Sequence, residues 1–216
     1  MKTALAAARR EVPAIFWGLL AIAGASLLAR RSFWSVLALT LWASVVYFFR
    51  DPDRTPDTDD PSAILAPADG TVRKIEPVDD APWMAGPAQR ITIFLSLLDV
   101  HVQRSPACGQ VGLVEYRAGS FAPAFQDAAD ANEMNLVGLE TTPGKLLVAQ
   151  MTGVLARRIV CWTSAGVRLE RGQRFGLIRF GSRVDLYAPP DVQLLVAPGD
   201  QVYGGQTVIA RWPRTA

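Results

Sequence analysis

Val12 to Ala29 and Ser32 to Phe49 are two runs of 18 residues, each without a charge, joined by Arg30-Arg31. A buried pair of helices in a soluble protein is one home for them. The rest of a 216-residue chain is too small a domain to cover so much apolar surface well. Runs of this length sit at the short edge of what spans a bilayer. Trp17, Trp34, Trp42 and Tyr47 are spread along the runs rather than gathered at one interface. The second run follows the first at once, with no small-x-small site between them, which argues against a cleaved secretion signal. Residues 1–50 therefore read as a membrane-anchoring apolar helical hairpin. Lys2, Arg9 and Arg10 precede the first run and Arg30-Arg31 lie in the link. If both arms cross, the positive-inside rule gives mixed advice; a hairpin dipping into one leaflet removes the conflict. The expected location is the cell membrane, with the main domain on the cytoplasmic side.

Composition narrows the classes. A net charge of +2 is too small to argue for nucleic acid, and no glycine-rich phosphate loop is present. Cys108 and Cys161 have neither CxxC nor metal spacing, so they read as buried thiols in a reducing compartment, with no disulfide and no metal site. His101 is the single histidine, so any imidazole chemistry must use it. Residues 51–62 carry five aspartates and three prolines and read as a solvated, extended linker.

From residue 63 onward the chain reads as short strands broken by glycine turns. Val72 to Glu76, Arg90 to Ser96, Lys145 to Thr152, Arg157 to Trp162 and Val167 to Leu169 are expected strands. Ala122 to Glu133 is a loop or short helix. Pro67-Ala-Asp-Gly-Thr-Val72 is echoed by Pro106-Ala-Cys-Gly-Gln-Val111, and Val196 to Val202 and Gly204 to Arg211 make another turn and strand pair. The fold class expected is mainly β (α+β), with antiparallel sheets and barrel-sandwich elements of the biotinyl/lipoyl type. Between Gln173 and Tyr187, two alternating apolar runs flank Gly181-Ser182 and read as half-buried strands. A glycine there marks a bulge. It also offers the least hindered carbonyl that a neighbouring hydroxyl could attack, and the residues alone leave both readings open.

Several motifs bear on that choice. Phe175-Gly-Leu-Ile-Arg-Phe-Gly-Ser-Arg-Val-Asp-Leu-Tyr187 resembles the self-cleavage segment of the phosphatidylserine decarboxylase proenzymes, in particular their short form. Pro67-Ala68-Asp69-Gly70, Ile93 to Pro106 with its Asp-x-His, and Asn132-Glu133-Met134-Asn135 resemble three further motifs of that family, in the family's order. Phe48-Phe49-Arg50-Asp51-Pro52 resembles the segment that joins anchor to catalytic domain there. The likeness covers roughly residues 46 to 212. Some longer members carry a second histidine where Arg104 stands; the short form has arginine, suited to a phosphate or carboxylate.

The resemblance implies a catalytic domain over 63–216 that cuts itself between Gly181 and Ser182. His101 takes the proton of the Ser182 hydroxyl, from a strand facing the cleavage site, and Asp69 orients the imidazole. Ser182 becomes a covalent pyruvoyl group, and residues 1–181 and 182–216 stay together as two chains. Arg104, Asn132, Glu133 and Asn135 are candidate substrate-binding residues. The implied reaction is decarboxylation of phosphatidylserine to phosphatidylethanolamine, with a membrane phospholipid as substrate and the bilayer as partner; a homodimer is left open. Two other readings remain: a pyruvoyl enzyme acting on a different amine, and a membrane-tethered, non-catalytic biotinyl/lipoyl-like module. The module would need a lysine on a tight turn, which neither Lys74 nor Lys145 supplies.

Overall fold

In the computed structural model, the described residues are 4–123, 126–154, 158–179 and 182–213. The chain divides into two compact units, Met1–Asp53 and Arg54–Ala216.

The first unit is helical. Helix α1 spans Ala4–Glu11, α2 Pro13–Leu28 and α3 Ser32–Phe48. Pro13 starts α2 because its fixed φ suits a first turn and its missing N–H is an orphan there anyway. Arg30, at φ 58°, reverses the chain, and α2 and α3 then run side by side. The Ser35 hydroxyl donates to the carbonyl of Ala23 at 2.9 Å, and the Phe16 and Trp42 rings lie 5.4 Å apart. The ends of both apolar runs are used as caps, which leaves helices of 16 and 17 residues. At about 1.5 Å per residue these fall short of a hydrocarbon core of about 30 Å. Among the described residues, no helix is long and apolar enough to cross a membrane.

The second unit is antiparallel β. An eight-stranded sheet, curled into a half-barrel, has the order β13-β2-β3-β11-β7-β6-β5-β9. Its strands are β2 (Gly70–Ala81), β3 (Gly86–Leu95), β5 (Gly109–Arg117), β6 (Met134–Glu140), β7 (Lys145–Met151), β9 (Arg168–Leu169), β11 (Ser182–Ala188) and β13 (Gln201–Val202). A three-stranded sheet places β10 (Arg174–Arg179) between β4 (Val102–Arg104) and β8 (Arg158–Cys161). A second joins β1 (Ala63–Leu65), β14 (Val208–Arg211) and β12 (Gln193–Leu194). Ile91, Ile93, Val148, Val184 and Leu186 of the large sheet share a core with Phe175 and Ile178 of β10. Full burial of one such side chain stabilises by about 1.5–3 kcal/mol.

The expected half-buried strands around Gly181 are thus interior strands. Val184 and Leu186 fill the core, while Arg183 and Asp185 on the opposite face are also buried. The expected buried thiols are corrected too: Cys108 is exposed and Cys161 half-buried, and both are free.

The Pro67 and Pro106 echoes are related by a pseudo-twofold hydrogen-bond pattern. Leu65 N–H donates to Pro106 C=O, and Arg104 N–H to Pro67 C=O, each at 2.9 Å. Val72 exchanges bonds with Gly199 and Asp200 as Val111 does with Gly166 and Val167. The tip of the β2–β3 hairpin lays Trp83 on Gly112 and Gly138, where any Cβ would come within 2.6 Å of the indole. Lys145 Nζ lies 4.3 Å from the ring centre.

Candidate active site

Strand registers gather distant parts of the chain at one end of the large sheet. Ser182 pairs with Leu95, the last residue of β3, and Arg183 with Met151, the last of β7. Met134 starts β6 beside Met151, and Gly70 starts β2 beside Val202, the last of β13. Asp69, the 96–101 connection, Asn132, Glu133, Thr152 and Gly204 therefore leave the sheet at the end where β11 begins.

His101 lies in the connection before β4, one residue short of the strand on which it was expected. It is fully buried. Its Nδ1 is 3.0 Å from the main-chain oxygen of Asp99. A carbonyl can only accept, so Nδ1 carries a proton, and in the neutral ring the lone pair falls to Nε2. The carbonyl is held by a pinned turn. The Asp99 carboxylate accepts the Ser96 N–H at 2.8 Å and its hydroxyl at 2.7 Å, and Asp99 N–H closes the turn on Ser96 C=O. Asp99 is thus a positioning residue that the motif reading passed over; its signal was the Ser-x-x-Asp spacing.

Behind His101 runs a ladder of buried amides. Gln103 Nε2 donates to His101 C=O at 2.9 Å, Gln150 Nε2 to Gln103 Oε1 at 2.8 Å, and Asn135 Nδ2 to Gln150 Oε1 at 2.8 Å. The carbonyl at the end accepts only, so it fixes the orientation of every amide in the chain. Asn135, expected at the substrate, belongs to this ladder. Gly176 leaves it room: a Cβ there would lie 2.5 Å from Gln150 Nε2 and 2.8 Å from Val160 O. Gly176→Ala is expected to lower stability by about 1–3 kcal/mol and to slow self-cleavage. Thermal melts and a processing time course check both.

Asp69 is buried at the start of β2. Its Oδ1 accepts the Gly204 N–H at 2.8 Å and its Oδ2 accepts Arg54 Nη2 at 2.7 Å. The expected bond from Asp69 to the imidazole is not formed; Asp99 C=O orients the ring instead. Burial pushes the Asp69 carboxyl above its ordinary range, while Arg54 and the Gly204 N–H pull it down and Asp99 adds a smaller upward push. Arg54 was read as part of a solvated linker, but the chain from Arg54 onward belongs to the β unit. Its guanidinium carbon lies 5.2 Å from the Tyr203 ring centre. Asp57 N–H donates to Gln206 C=O at 3.1 Å, and Arg171 donates to the carbonyls of Thr58 and Asp60. Removing Arg54 takes away the largest downward influence, so the folded carboxyl rises further and is ionised only at higher pH. Arg54→Ala is expected to shift the acidic limb of the self-cleavage rate profile to higher pH, slowing the reaction more near neutrality than in mild alkali. An unshifted limb would dissociate Asp69 ionisation from the reaction.

The other candidates are tied to the chain itself. Asn132 fills every hydrogen-bonding position of its amide: Nδ2 donates to Ala122 O and Thr152 O, and Oδ1 accepts from Ser120 Oγ and Ala122 N. It clasps two loops and has no capacity left for a ligand. Glu133 is half-buried; the Tyr116 phenol is raised by its own desolvation first and by the Glu133 carboxylate second. Arg104 is buried, donates to Gly172 C=O at 3.2 Å, and packs its Cδ where a Cβ on Gly205 would stand.

Gly181 and the Ser182 side chain lie outside the described residues. The strands on either side are informative. β10 is the centre of one sheet and β11 is held between β3 and β7 in another. On β11, Arg183 Nε and Nη2 each reach Asp185 at 2.7 Å, and Arg183 Nη1 reaches Asp130 at 2.8 Å.

Comparison with known proteins agrees with this frame. The phosphatidylserine decarboxylase family model matches residues 41–210. A phosphatidylserine decarboxylase proenzyme of Carboxydothermus hydrogenoformans is 45% identical over 200 residues, covering 91% of this chain and 93% of its own. The proenzyme of Symbiobacterium thermophilum is 45% identical over 199 residues, covering 91% of each. That of Gluconacetobacter diazotrophicus is 46% identical over 200 residues, covering 90% of this chain and 88% of its own. A match that runs from the end of α3 through nearly all of the β unit leaves one conclusion: the chain belongs to the phosphatidylserine decarboxylase family.

Proposed function

We infer that this chain is a proenzyme that cuts itself between Gly181 and Ser182 and, as a carboxy-lyase, converts phosphatidylserine to phosphatidylethanolamine with a pyruvoyl group made from Ser182. The observation that carries this reading is the seating of the cut. The two strands that would become chain ends are each central in a different sheet, at the sheet end that holds buried His101. The pairings on either side of the link, Arg179 with Arg158 and Arg183 with Phe94 and Met151, do not depend on the bond between the strands. Residues 182–216 keep β3 and β7 through β11, β1 through β14, and β2 through β13. A covalent group at position 182 fits this frame, because both neighbours of β11 fix the main chain that carries it.

In self-cleavage, His101 Nε2 takes the Ser182 hydroxyl proton and the oxygen attacks the Gly181 carbonyl carbon. The proton passes to the departing nitrogen, and the amide becomes an ester. Loss of the Ser182 α-proton expels the Gly181 carboxylate, and water replaces the resulting enamine nitrogen as ammonia, leaving the ketone. Asp99 C=O holds the imidazole through its Nδ1–H and so stabilises its cation. Asp69, kept by Arg54 and Gly204, adds negative charge at this end of the sheet.

Once formed, the pyruvoyl group supplies an electron sink for the pair left when carbon dioxide departs. His101 is assigned the return of a proton to the carbon that loses it. Helices α2 and α3, too short to span, are assigned to one leaflet, where the substrate headgroup is met without extracting the lipid. The paired Pro67 and Pro106 turns support the barrel-sandwich likeness to biotinyl/lipoyl modules. No modifiable lysine accompanies it: Lys74 lies inside β2, and Lys145 starts β7 with its ammonium over Trp83.

The test uses vesicles containing phosphatidylserine labelled at the serine carboxyl. Purified protein is expected to release labelled carbon dioxide and to lose this activity after borohydride reduction. Activity that survives reduction, or that uses free serine equally well, would contradict the reading.

A further inference from the structure

Among the connections that leave the large sheet at the His101 end are 96–101 after β3, 118–133 before β6, 152–157 after β7, and 180–181 before β11. Among the described residues, the first three hold Leu97 at 48% exposure, Leu98 at 72%, Phe121 at 38% and Val154 at 50%. The turns at the opposite end, 82–85 and 141–144, show no exposed large apolar side chain. The leucines do not owe their exposure to a loose loop. Their turn is the one closed by Asp99 on Ser96, with Leu98 N–H on the Ser96 hydroxyl at 3.3 Å. One pinned turn thus presents two consecutive leucines to solvent and, three residues later, His101 to the interior. A chain needing only a reversal there would be served by small polar residues. Apolar side chains gathered on one rim mark a contact surface.

We propose that this rim faces the bilayer: Leu97 and Leu98, flanked by Phe121 and Val154, enter the headgroup and upper acyl region and hold the catalytic end of the sheet against the lipid. The occupant follows from continuity with the site. The rim surrounds position 182, and the inference rests on the reading that the substrate is a bilayer lipid. It adds a second membrane contact to the helical unit, one that orients the site rather than tethering the protein.

The test uses the full chain with Leu97→Ser and Leu98→Ser together, and a second variant with tryptophan at both positions. Each is assayed on monomeric short-chain phosphatidylserine and on phosphatidylserine–phosphatidylcholine vesicles. The serine variant is expected to process itself normally and to keep wild-type activity on the monomeric substrate. Its kcat/KM on vesicles is expected to fall about tenfold, with tryptophan restoring it. No loss on vesicles, an equal loss on both substrates, or a loss that tracks dissociation of an oligomer in solution would overturn the proposal. Wild-type protein acting on neither substrate would instead overturn the decarboxylase reading beneath it.

Discussion

Ser182→Ala is expected to give one unbroken chain of 23.4 kDa on a denaturing gel, where the wild type is expected to give residues 1–181 and 182–216. Without the hydroxyl no ester forms, so the defect is absolute rather than slow. His101→Ala should come close to it, since losing a general base typically costs about 10²–10⁴ in rate. The two differ in what rescues them. Added imidazole has a proton acceptor to offer the histidine variant and nothing to offer the alanine at 182. Asp99→Ala is the informative intermediate. It retains the imidazole but frees the Ser96–Asp99 turn whose carbonyl fixes the tautomer. Processing is expected to slow while the thermal melt changes little, because the turn lies at the rim of the sheet. Wild-type processing in Ser182→Ala would remove the chemistry, and wild-type processing in Asp99→Ala would remove only the positioning role.

The second large effect is on stability. Asp185 is fully buried on β11 and receives two donors from Arg183, itself 5% exposed. Asp185→Ala leaves a buried guanidinium with Asp130 as its remaining carboxylate partner. Breaking a buried pair from one side costs about 3–5 kcal/mol, which for a chain of this size lowers the melting temperature by on the order of 10 °C. Replacing both partners, as Arg183→Met with Asp185→Leu, is expected to recover most of that loss, because the uncompensated charge is removed with its partner. A double-mutant cycle in thermal or chemical denaturation measures the difference. The pair lies next to the proposed cut, so Asp185→Ala should also let the small chain dissociate more readily after cleavage.

Much of the β architecture was legible because its turns are glycine turns with period-two strands between them. The Pro67 and Pro106 repeats pointed to a recurring turn and strand; that the two units pair symmetrically, through the hydrogen bonds of Leu65, Arg104, Val72 and Val111, came only with the fold. Legibility failed where an identity is set by a partner far along the chain. Arg54 looked like linker because nothing nearby says that Asp69 and Tyr203 will flank it. Asn132 looked like a ligand-binding residue because a motif does not reveal that its own loops use up its amide. Gln103 and Gln150 carried no local signal; only the fold brings them into line between Asn135 and His101. The strands around Gly181 were read as half-buried because alternation marks a polar face. Here that face is buried as well, under Asp130 and its arginine partners.

The most direct measurement is the intact mass of the purified protein under denaturing conditions. Two chains are expected. The smaller should match residues 182–216 with the terminal serine lighter by one ammonia, and it should gain mass with a carbonyl-trapping hydroxylamine as activity is lost. A single full-length chain, or a fragment that keeps an ordinary serine at its start, in fully active protein would contradict the account.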